Sequence, residues 1–274
     1  MTLPSVAAVL DEARGVGVSP LDARLLLAHL LGCSRTHLTA HDDRLLTAEE
    51  LAAWRIQVTR RVDGHPVAYL LGEKEFYGLV FEVSPDVLVP RPETELLVDW
   101  AISLLSARPG QPSLLDLGTG SGAIAVAVMA QCPNARVSAS DASSAALALA
   151  RRNAERLGAR IHFVEGSWWV PFHGQRFEVV VANPPYIALD DPHLPALRHE
   201  PPLALSPGGD GLGALREIVA GAPAHLAPGG WLVVEHGYDQ AGSVAALLER
   251  AGLTDIECRH DLAGQPRATG ARWV

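Results

Sequence analysis

From Ser113 to the C-terminus, short apolar runs alternate with longer segments of helical periodicity. The apolar runs have the length of buried strands, and they predict seven strands at 113–117, 136–140, 160–164, 177–182, 231–235, 253–258 and 271–274. The segments between them predict helices at 121–131, 143–157, 211–226 and 239–251. This alternation is typical of an α/β fold with a mostly parallel sheet and right-handed crossovers.

The first 65 residues show only helical signals. Ser19 followed by Pro20 is a favourable helix start, because Ser caps the helix and Pro suits its first position. Thr47 and Glu50 have the spacing of a capping box, and an apolar face follows them. None of these residues has an evident catalytic role, so we interpret residues 1–65 as a helical domain that docks the substrate.

Residues 66–90 have a different pattern. Residues that favour β structure occupy 67–71, 75–77 and 79–83, and glycine or proline separates these groups. We therefore predict a β-hairpin linker over 66–90. A helix is expected to begin near Thr94, and residues 91–274 then form the main α/β domain.

Composition narrows the function further. The 274 residues are 48% hydrophobic and carry a net charge of −9, without a basic surplus in either part of the chain. A large nucleic-acid footprint, and hence direct nucleic-acid binding, is not expected. Three separate cysteines without a C-x-x-C pair fit a cytoplasmic protein, and the 11 histidines show no metal-ligand spacing. We expect neither a metal site nor a membrane span.

The turn formed by Asn183, Pro184, Pro185 and Tyr186 directly follows the predicted strand at 177–182. Ligands of open α/β sheets bind beyond the carboxyl ends of the strands. The Asn183 side chain and the Pro184 carbonyl offer two acceptors for the hydrogens of a planar NH₂ group, and Tyr186 offers a face for stacking. The turn therefore favours an amide or aromatic amine as ligand. A rigid strand-to-loop turn without a ligand explains the same residues.

A glycine loop follows the strand at 113–117 and comprises Gly118, Thr119, Gly120, Ser121 and Gly122. Its spacing formally satisfies the dinucleotide pattern, so a nicotinamide or flavin cofactor is one interpretation. Asp141 ends the next strand, where a carboxylate accepts the ribose hydroxyls of an adenosine ligand.

Asp116 favours a different ligand from a dinucleotide. This carboxylate lies before the first glycine, where it suits the cationic amino group of S-adenosylmethionine and repels a pyrophosphate. Capping of the glycine turn is the alternative role for Asp116. Together with the turn at Asn183, the loop predicts methyl transfer to a planar nitrogen, with Asn183, Pro184 and Tyr186 as the catalytic residues. Asn183 is also expected to contact the bound donor.

The chain resembles the HemK/PrmC family, the protein-(glutamine-N5) methyltransferases that modify bacterial peptide chain release factors. The resemblance covers most of residues 66–274 and rests on YLLGEKEFYGLVFEV, VLVPRPETE, LLDLGTGSGAIA, SDAS, ANPPYI, EPPLALSPGGDGL, EHGYDQ and DLAGQPRAT. It implies a seven-stranded, Rossmann-like class I methyltransferase sheet with a helical N-terminal domain. It also implies S-adenosylmethionine as donor and the glutamine of the Gly-Gly-Gln motif in class I release factors as acceptor.

Site residues follow from this resemblance position by position. It places the donor at Gly118–Gly122, the ribose at Asp141 and the adenine against Trp168, and it makes the Asn183 turn the grip for glutamine. Ser167 departs from the family pattern, in which Asp is frequent before the aromatic residue. Three alternatives remain open: a nucleic-acid methyltransferase acting on adenine N6 or guanine N2, a dinucleotide-dependent oxidoreductase, and a non-enzymatic binding module on the same fold.

Overall fold

The computed structural model describes residues 3–274, and the chain divides into two compact units between Glu73 and Lys74. The first unit contains five helices, α1 (Val6–Gly15), α2 (Pro20–Leu30), α3 (Arg35–Ala40), α4 (Ala48–Val62) and α5 (Val67–Leu71). Both predicted helix starts are confirmed. Ser19 caps α2, and Thr47 and Glu50 form a reciprocal capping box at α4. Trp54 of α4 is buried in the core of this unit.

Helix α5 corrects the prediction of β structure at 67–71. Pro66 precedes the helix, and Gly72 ends it in the left-handed conformation with φ +75°. Val67, Leu70 and Leu71 pack against the core of the helical unit. Their spacing is that of one helical face, so burial of this face outweighed the β propensity of the segment.

Beyond α5, two short strands form the predicted hairpin, β1 (Glu73–Phe76) and β2 (Leu79–Glu82). The boundaries proposed for the linker, 66 and 90, stay predictions.

The second unit is built on a seven-stranded sheet, which confirms the predicted number of strands. The strand order is β5-β4-β3-β6-β7-β9-β8. These strands are β3 (Ser113–Leu117), β4 (Arg136–Asp141), β5 (Ile161–Glu165), β6 (Phe177–Ala182), β7 (Leu226–Glu235), β8 (Thr254–His260) and β9 (Pro266–Arg272). Its helices are α6 (Glu95–Ser106), α7 (Ala123–Gln131), α8 (Ser144–Arg156), α9 (Pro202–Leu205), α10 (Gly213–His225) and α11 (Ala241–Arg250). Short 3₁₀ helices occupy Pro92–Thr94, Val170–Phe172 and Leu194–Leu197.

Strands β3 to β7 are parallel, whereas β9 is antiparallel to both β7 and β8. The last strand covers Pro266–Arg272 rather than the predicted 271–274. Its start was missed in the sequence because Pro266 and Gly270 weaken the β signal of the segment. A Cβ atom on Gly270 would meet the Trp100 ring at 2.7 Å, so only glycine lets the strand lie against that ring. Strand β7 likewise begins at Leu226, before the predicted 231.

Successive residues of β3 point into two different cores. Leu114 lies in the core beneath α6 and α7, and Leu115 and Leu117 lie in the core shared with α10 and α11. Leu117 pairs with Ala182 of β6. The loops that follow these two strands therefore leave the sheet side by side.

Candidate active site

A cavity of about 470 Å³ opens where the loops after β3, β4, β5 and β6 meet. Its volume lies in the range of small-molecule sites. It is lined by Asp86, Val87, Leu88, Pro90, Arg91, Thr94, Gly118, Thr119, Gly120, Ser121, Ala123, Ile124, Asp141, Ala142, Ser143, Ala146, Gly166, Ser167, Trp168, Asn183, Pro185, Pro201, Pro202, Leu203 and Ala204. The wall of this one cavity therefore combines four features that are separate in sequence: the glycine loop, Asp141, Trp168 and Asn183.

The glycine loop is shaped by its backbone. Gly118, Gly120 and Gly122 adopt φ values of +73°, +55° and +83°, a region that other residues occupy only at a cost. The amides of Gly118 and Thr119 both donate to the Ser140 carbonyl at 2.9 Å. A Cβ atom on Gly118 would lie 3.2 Å from the Trp168 ring, so this ring packs directly on the loop.

Asp141 connects the end of β4 to the glycine loop. One oxygen accepts the Gly120 amide and the other accepts the Ser143 amide, each at 2.9 Å. Burial raises the pKa of Asp141, and these backbone bonds oppose the rise. Each carboxylate oxygen has two lone pairs, so Asp141 retains acceptor capacity toward the cavity.

Asp116 is completely buried and does not line the cavity. Its Oδ2 accepts the Thr119 hydroxyl at 2.6 Å, and its Oδ1 has no hydrogen-bond partner within the described chain. Burial raises the pKa of Asp116 to about 7, against the lowering effect of the Thr119 bond. The structure thus brings the predicted cofactor residue Asp116 to the back of the loop, where it contacts Thr119.

Two neighbouring tryptophans follow β5 and have different environments. Trp168 lines the cavity and has a positive φ of +42°, which is uncommon for a bulky residue. Trp169 is buried in the core, and its indole N–H donates to the Ile218 carbonyl at 3.0 Å. Only Trp168, the residue implied by the resemblance, presents an aromatic face to the cavity.

The turn after β6 is only partly on the cavity wall. Asn183 and Pro185 line it, whereas Pro184 and Tyr186 do not. The Asn183 side-chain nitrogen donates to the Thr94 hydroxyl at 3.1 Å. The Tyr186 hydroxyl donates to Glu235 at 3.2 Å, and its main-chain carbonyl accepts the Gln240 side chain at 3.0 Å.

Thr94 and Glu235 are residues of the site for which the sequence analysis assigned no role. Glu235 ends β7 and is 1% exposed. Burial raises the pKa of Glu235 to about 7, and the neighbouring Thr94 and Tyr186 hydroxyls oppose that rise. Glu235 belongs to the EHGYDQ segment and Thr94 to VLVPRPETE, so their membership in these segments was the one available signal.

A second missed pair, Arg91 and Glu200, lies beside the same wall. Glu200 is 3% exposed, forms an ion pair with Arg91 and accepts the Val89 amide at 3.1 Å. This pair ties the segment before α6 to the segment just before α9. Pro201 and the first three residues of α9 line the cavity, and Leu203 is 88% exposed there.

The residues that line the cavity fit S-adenosylmethionine. Glycines without Cβ atoms leave room beside the loop, Asp141 offers acceptors for ribose hydroxyls, and Trp168 offers a face for adenine. The Asn183 turn meets the same cavity. The fold and the site together define an S-adenosylmethionine-dependent methyltransferase.

Comparison with known proteins identifies the family. Residues 5–72 match the family model of the PrmC N-terminal domain, and residues 94–210 match that of the methyltransferase small domain. The release factor glutamine methyltransferase of Burkholderia pseudomallei is 50% identical over 99% of this chain and 98% of that protein. That of Bordetella pertussis is 51% identical over 93% of this chain and 95% of that protein. The chain belongs to the family of release factor glutamine methyltransferases.

A more distant protein of known structure shares the fold. A methyltransferase from Pyrococcus furiosus covers 82% of this chain and 98% of its own, with 19% identity and a TM-score of 0.54. None of the helices within residues 3–274 combines the length and apolar character needed to cross a membrane.

Proposed function

We propose that this protein transfers a methyl group from S-adenosylmethionine to the side-chain nitrogen of the Gly-Gly-Gln glutamine in bacterial class I peptide chain release factors. The observation that carries the proposal is the single cavity where the glycine loop and Asp141 meet Asn183. Identity of 50% to a release factor glutamine methyltransferase over nearly the whole chain supports the choice of substrate. The modification then serves translation termination, which places the enzyme in the cytoplasm.

In the donor half of the site, Gly118, Thr119, Gly120, Ser121 and Gly122 bind the methionine part of the donor. Asp141 accepts the ribose hydroxyls and Trp168 contacts the adenine. Asp116 holds Thr119 from behind the loop, and in its ionised form it adds negative charge there. Bound S-adenosylmethionine supplies an electrophilic methyl group, and S-adenosylhomocysteine is the product.

In the acceptor half, the Asn183 side-chain oxygen accepts one hydrogen of the glutamine NH₂ group. The carbonyl of Pro184, which lies between two residues of the wall, accepts the other. Pro185 and Tyr186 complete the glutamine site. Holding both hydrogens keeps the nitrogen lone pair directed at the methyl group and stabilises the positive charge that develops on nitrogen.

Positioning accounts for much of the expected acceleration. Well-oriented reactants gain on the order of 7–11 kcal/mol from proximity and orientation. The acceptor oxygens of Asn183 and Pro184 hold the glutamine hydrogens before transfer without removing one, so no strong base is needed at that stage. Once the nitrogen carries the methyl group it is cationic, and it then releases one of its protons to solvent.

Residues 1–65 are proposed to dock the body of the release factor. Docking lowers the KM for the whole factor without contributing to the chemistry at the cavity. The full chain should therefore methylate an intact release factor at a lower KM than a short Gly-Gly-Gln peptide. Equal KM values for the two substrates would contradict docking and leave these helices a stabilising role.

Mass spectrometry of a release factor incubated with the enzyme and an isotopically labelled donor tests the reaction. We expect one labelled methyl group on the Gly-Gly-Gln glutamine, and none on a factor in which alanine replaces that glutamine. Labelled DNA or RNA in a parallel incubation, with an unlabelled release factor, would refute the proposal and favour a nucleic-acid substrate.

A further inference from the structure

The Asn183 turn is stiff in its middle and has to be held at its two ends. Pro184 and Pro185 have fixed φ values and no N–H groups, so this part of the turn cannot donate to a neighbouring backbone. The sheet holds the entry, since Ala182 at the end of β6 pairs with both β3 and β7. The exit, at Tyr186, lies beyond β6. The direction of the Pro184 carbonyl therefore depends on what holds Tyr186.

Gln240 contacts the Tyr186 main chain directly. It is part-buried at the N-cap position of α11, and its Nε2 donates to the Tyr186 carbonyl oxygen at 3.0 Å. Its Oε1 accepts the Gly237 backbone N–H at 2.9 Å. One side-chain amide thus bridges the loop after β7 and the exit of the turn.

The orientation of the Gln240 amide is determined by its two partners. A backbone N–H can only donate and a backbone carbonyl can only accept. The Gln240 oxygen therefore faces Gly237, and its NH₂ group faces Tyr186. Exchanging the two ends would set donor against donor and acceptor against acceptor, so both bonds would be lost. Because neither backbone group is ionisable, the bridge has one working orientation at any pH.

Gly211 packs against the same carbonyl from a second segment. It has φ +78°, and a Cβ atom there would lie 2.3 Å from the Tyr186 carbonyl oxygen and 3.0 Å from the Gln240 Nε2 atom. Only glycine lets the chain pass so close to that oxygen. The Tyr186 carbonyl is thus bonded by one element and enclosed by another.

The chain just after the turn is also held. The Ile187 amide donates to the Leu205 carbonyl at 3.0 Å, and the Ile187 carbonyl accepts the Ser206 hydroxyl at 2.6 Å. Both bonds act one residue beyond Tyr186. The Gln240 bond acts on the main chain of the turn itself.

We propose that Gln240 is a positioning residue, which anchors the Tyr186 carbonyl and thereby fixes the direction of the Pro184 carbonyl that receives the substrate amide. The consequence for catalysis rests on the proposed function, because only there does Pro184 accept a hydrogen of the glutamine. The anchor itself is a property of the protein alone.

Gln240→Glu separates the two bonds of the bridge. The carboxylate keeps an oxygen for the Gly237 N–H at nearly constant shape, but it has no hydrogen for Tyr186 and repels that carbonyl. We expect kcat for release-factor methylation to fall by roughly tenfold to a hundredfold, because small misplacements at a reacting centre cost rates of that order. The Kd for S-adenosylhomocysteine should stay unchanged, since Gln240 does not line the cavity. Gln175→Glu, which adds the same charge at an exposed position just before β6, is the matched control and should keep the wild-type kcat.

Gly211→Ala tests the same carbonyl from the other side. The added Cβ must displace the Tyr186 oxygen, so kcat should fall in the same range while donor affinity is kept. Gly208→Ala is its control, because Gly208 lies in the same loop with φ +83° and its added Cβ would meet nothing within 4 Å. Titration with S-adenosylhomocysteine gives the number of folded sites. Expressing kcat per folded site separates a lower rate from a loss of folded protein.

Nuclear magnetic resonance tests the anchor without any release factor. Tyr186 and Ile187 form the only Tyr-Ile pair in the chain, so tyrosine labelled with ¹³C at its carbonyl and isoleucine labelled with ¹⁵N give one correlated signal. A carbonyl carbon moves to higher field when it loses a hydrogen bond. We expect this change in Gln240→Glu and not in Gln175→Glu. The same carbonyl shift in wild type and Gln240→Glu would overturn the inference.

The kinetic outcomes separate the two proposals. Wild-type kcat in both Gln240→Glu and Gly211→Ala, with an active wild type, would overturn the inference and leave the proposed function standing. An inactive wild type would overturn the proposed function, and the carbonyl signal would still decide whether the anchor exists. If Gln240→Glu does not fold, the comparison of Gly211→Ala with Gly208→Ala decides, and equal kcat values in those two variants would contradict the inference.

Discussion

The loop after β3 and the turn after β6 line one cavity, but they are held by different means. The glycine loop takes its shape from its own backbone, with three glycines at positive φ and two amides bonded to the Ser140 carbonyl. The turn at Asn183 depends on side chains distant in sequence: Thr94 accepts the Asn183 side-chain N–H, and Glu235 accepts the Tyr186 hydroxyl. Two segments of one site can thus follow the carboxyl ends of neighbouring strands and yet be altered by different kinds of mutation. The loop should be sensitive to changes in its backbone, and the turn to changes in its remote supports.

The contrast between the loop and the turn would break down most clearly if Asn183 were needed to bind the donor. Asn183→Ala removes the acceptor oxygen, so we expect kcat to fall by roughly a hundredfold to a thousandfold while donor affinity is kept. Turnover assays and calorimetric titration with S-adenosylhomocysteine measure the two quantities. A parallel loss of donor affinity would assign Asn183 to the donor half as well.

The loop responds to a backbone change in the opposite way. Gly118→Ala should weaken donor binding by about tenfold, because alanine at positive φ costs ~1–2 kcal/mol and its Cβ displaces Trp168. Gly110→Ala is the control, since Gly110 has φ +78° and its added Cβ would meet nothing within 4 Å. Both variants should lose similar stability, as measured by denaturant unfolding. Equal effects on donor affinity would show that strain, rather than the Trp168 contact, is responsible.

The support of the turn makes activity depend on pH. Because burial raises the pKa of Glu235 to about 7, the fraction of ionised Glu235 increases as pH rises through this value. We expect kcat to rise with pH across the same interval and then level off. In Glu235→Gln this step should disappear from the kcat profile. A step retained in the variant would assign the titration to another group.

The smallest expected effect concerns stability, and its sign is opposite to that for activity. Asp116, whose pKa burial raises to about 7, favours the protonated form in the folded state. The contribution of Asp116 to the free energy of unfolding is therefore most favourable at low pH, falls from about pH 4 to about pH 7, and stays level above it. Asp116→Asn should flatten this decline, as measured by urea unfolding at several pH values. Asp210→Asn should not, because Arg216 lowers the pKa of that exposed carboxyl to about 2. An unchanged decline in Asp116→Asn would contradict the assignment.

The predicted strands at 113–117, 136–140 and 177–182 agree with the structure because local apolar patterning and burial coincide there. The segment at 67–71 was predicted wrongly, since β-forming residues there also follow a helical period. Burial against α2 and α4 favoured the helical pattern over the β pattern. This burial depends on residues distant in sequence, so the local pattern could not indicate it.

For the site, spacing was sufficient to select the glycine loop, Asp141 and Asn183. It did not predict that Asp116, Pro184 and Tyr186 lie off the cavity wall, or that Arg91 pairs with Glu200. These features depend on loops that come together only after folding.

The sequence by itself determined the alternation of strands and helices, the carboxyl ends of β3 and β6, and the backbone shape of the donor loop. Alternating hydrophobicity and glycine conformation act over a few residues, so they can be recognised locally. Only the tertiary structure brought Glu235 from the end of β7 and Thr94 from the start of α6 to the Asn183 turn. Hydrogen bonds between such distant side chains form only when packing brings them together, and no local pattern in the sequence records that packing.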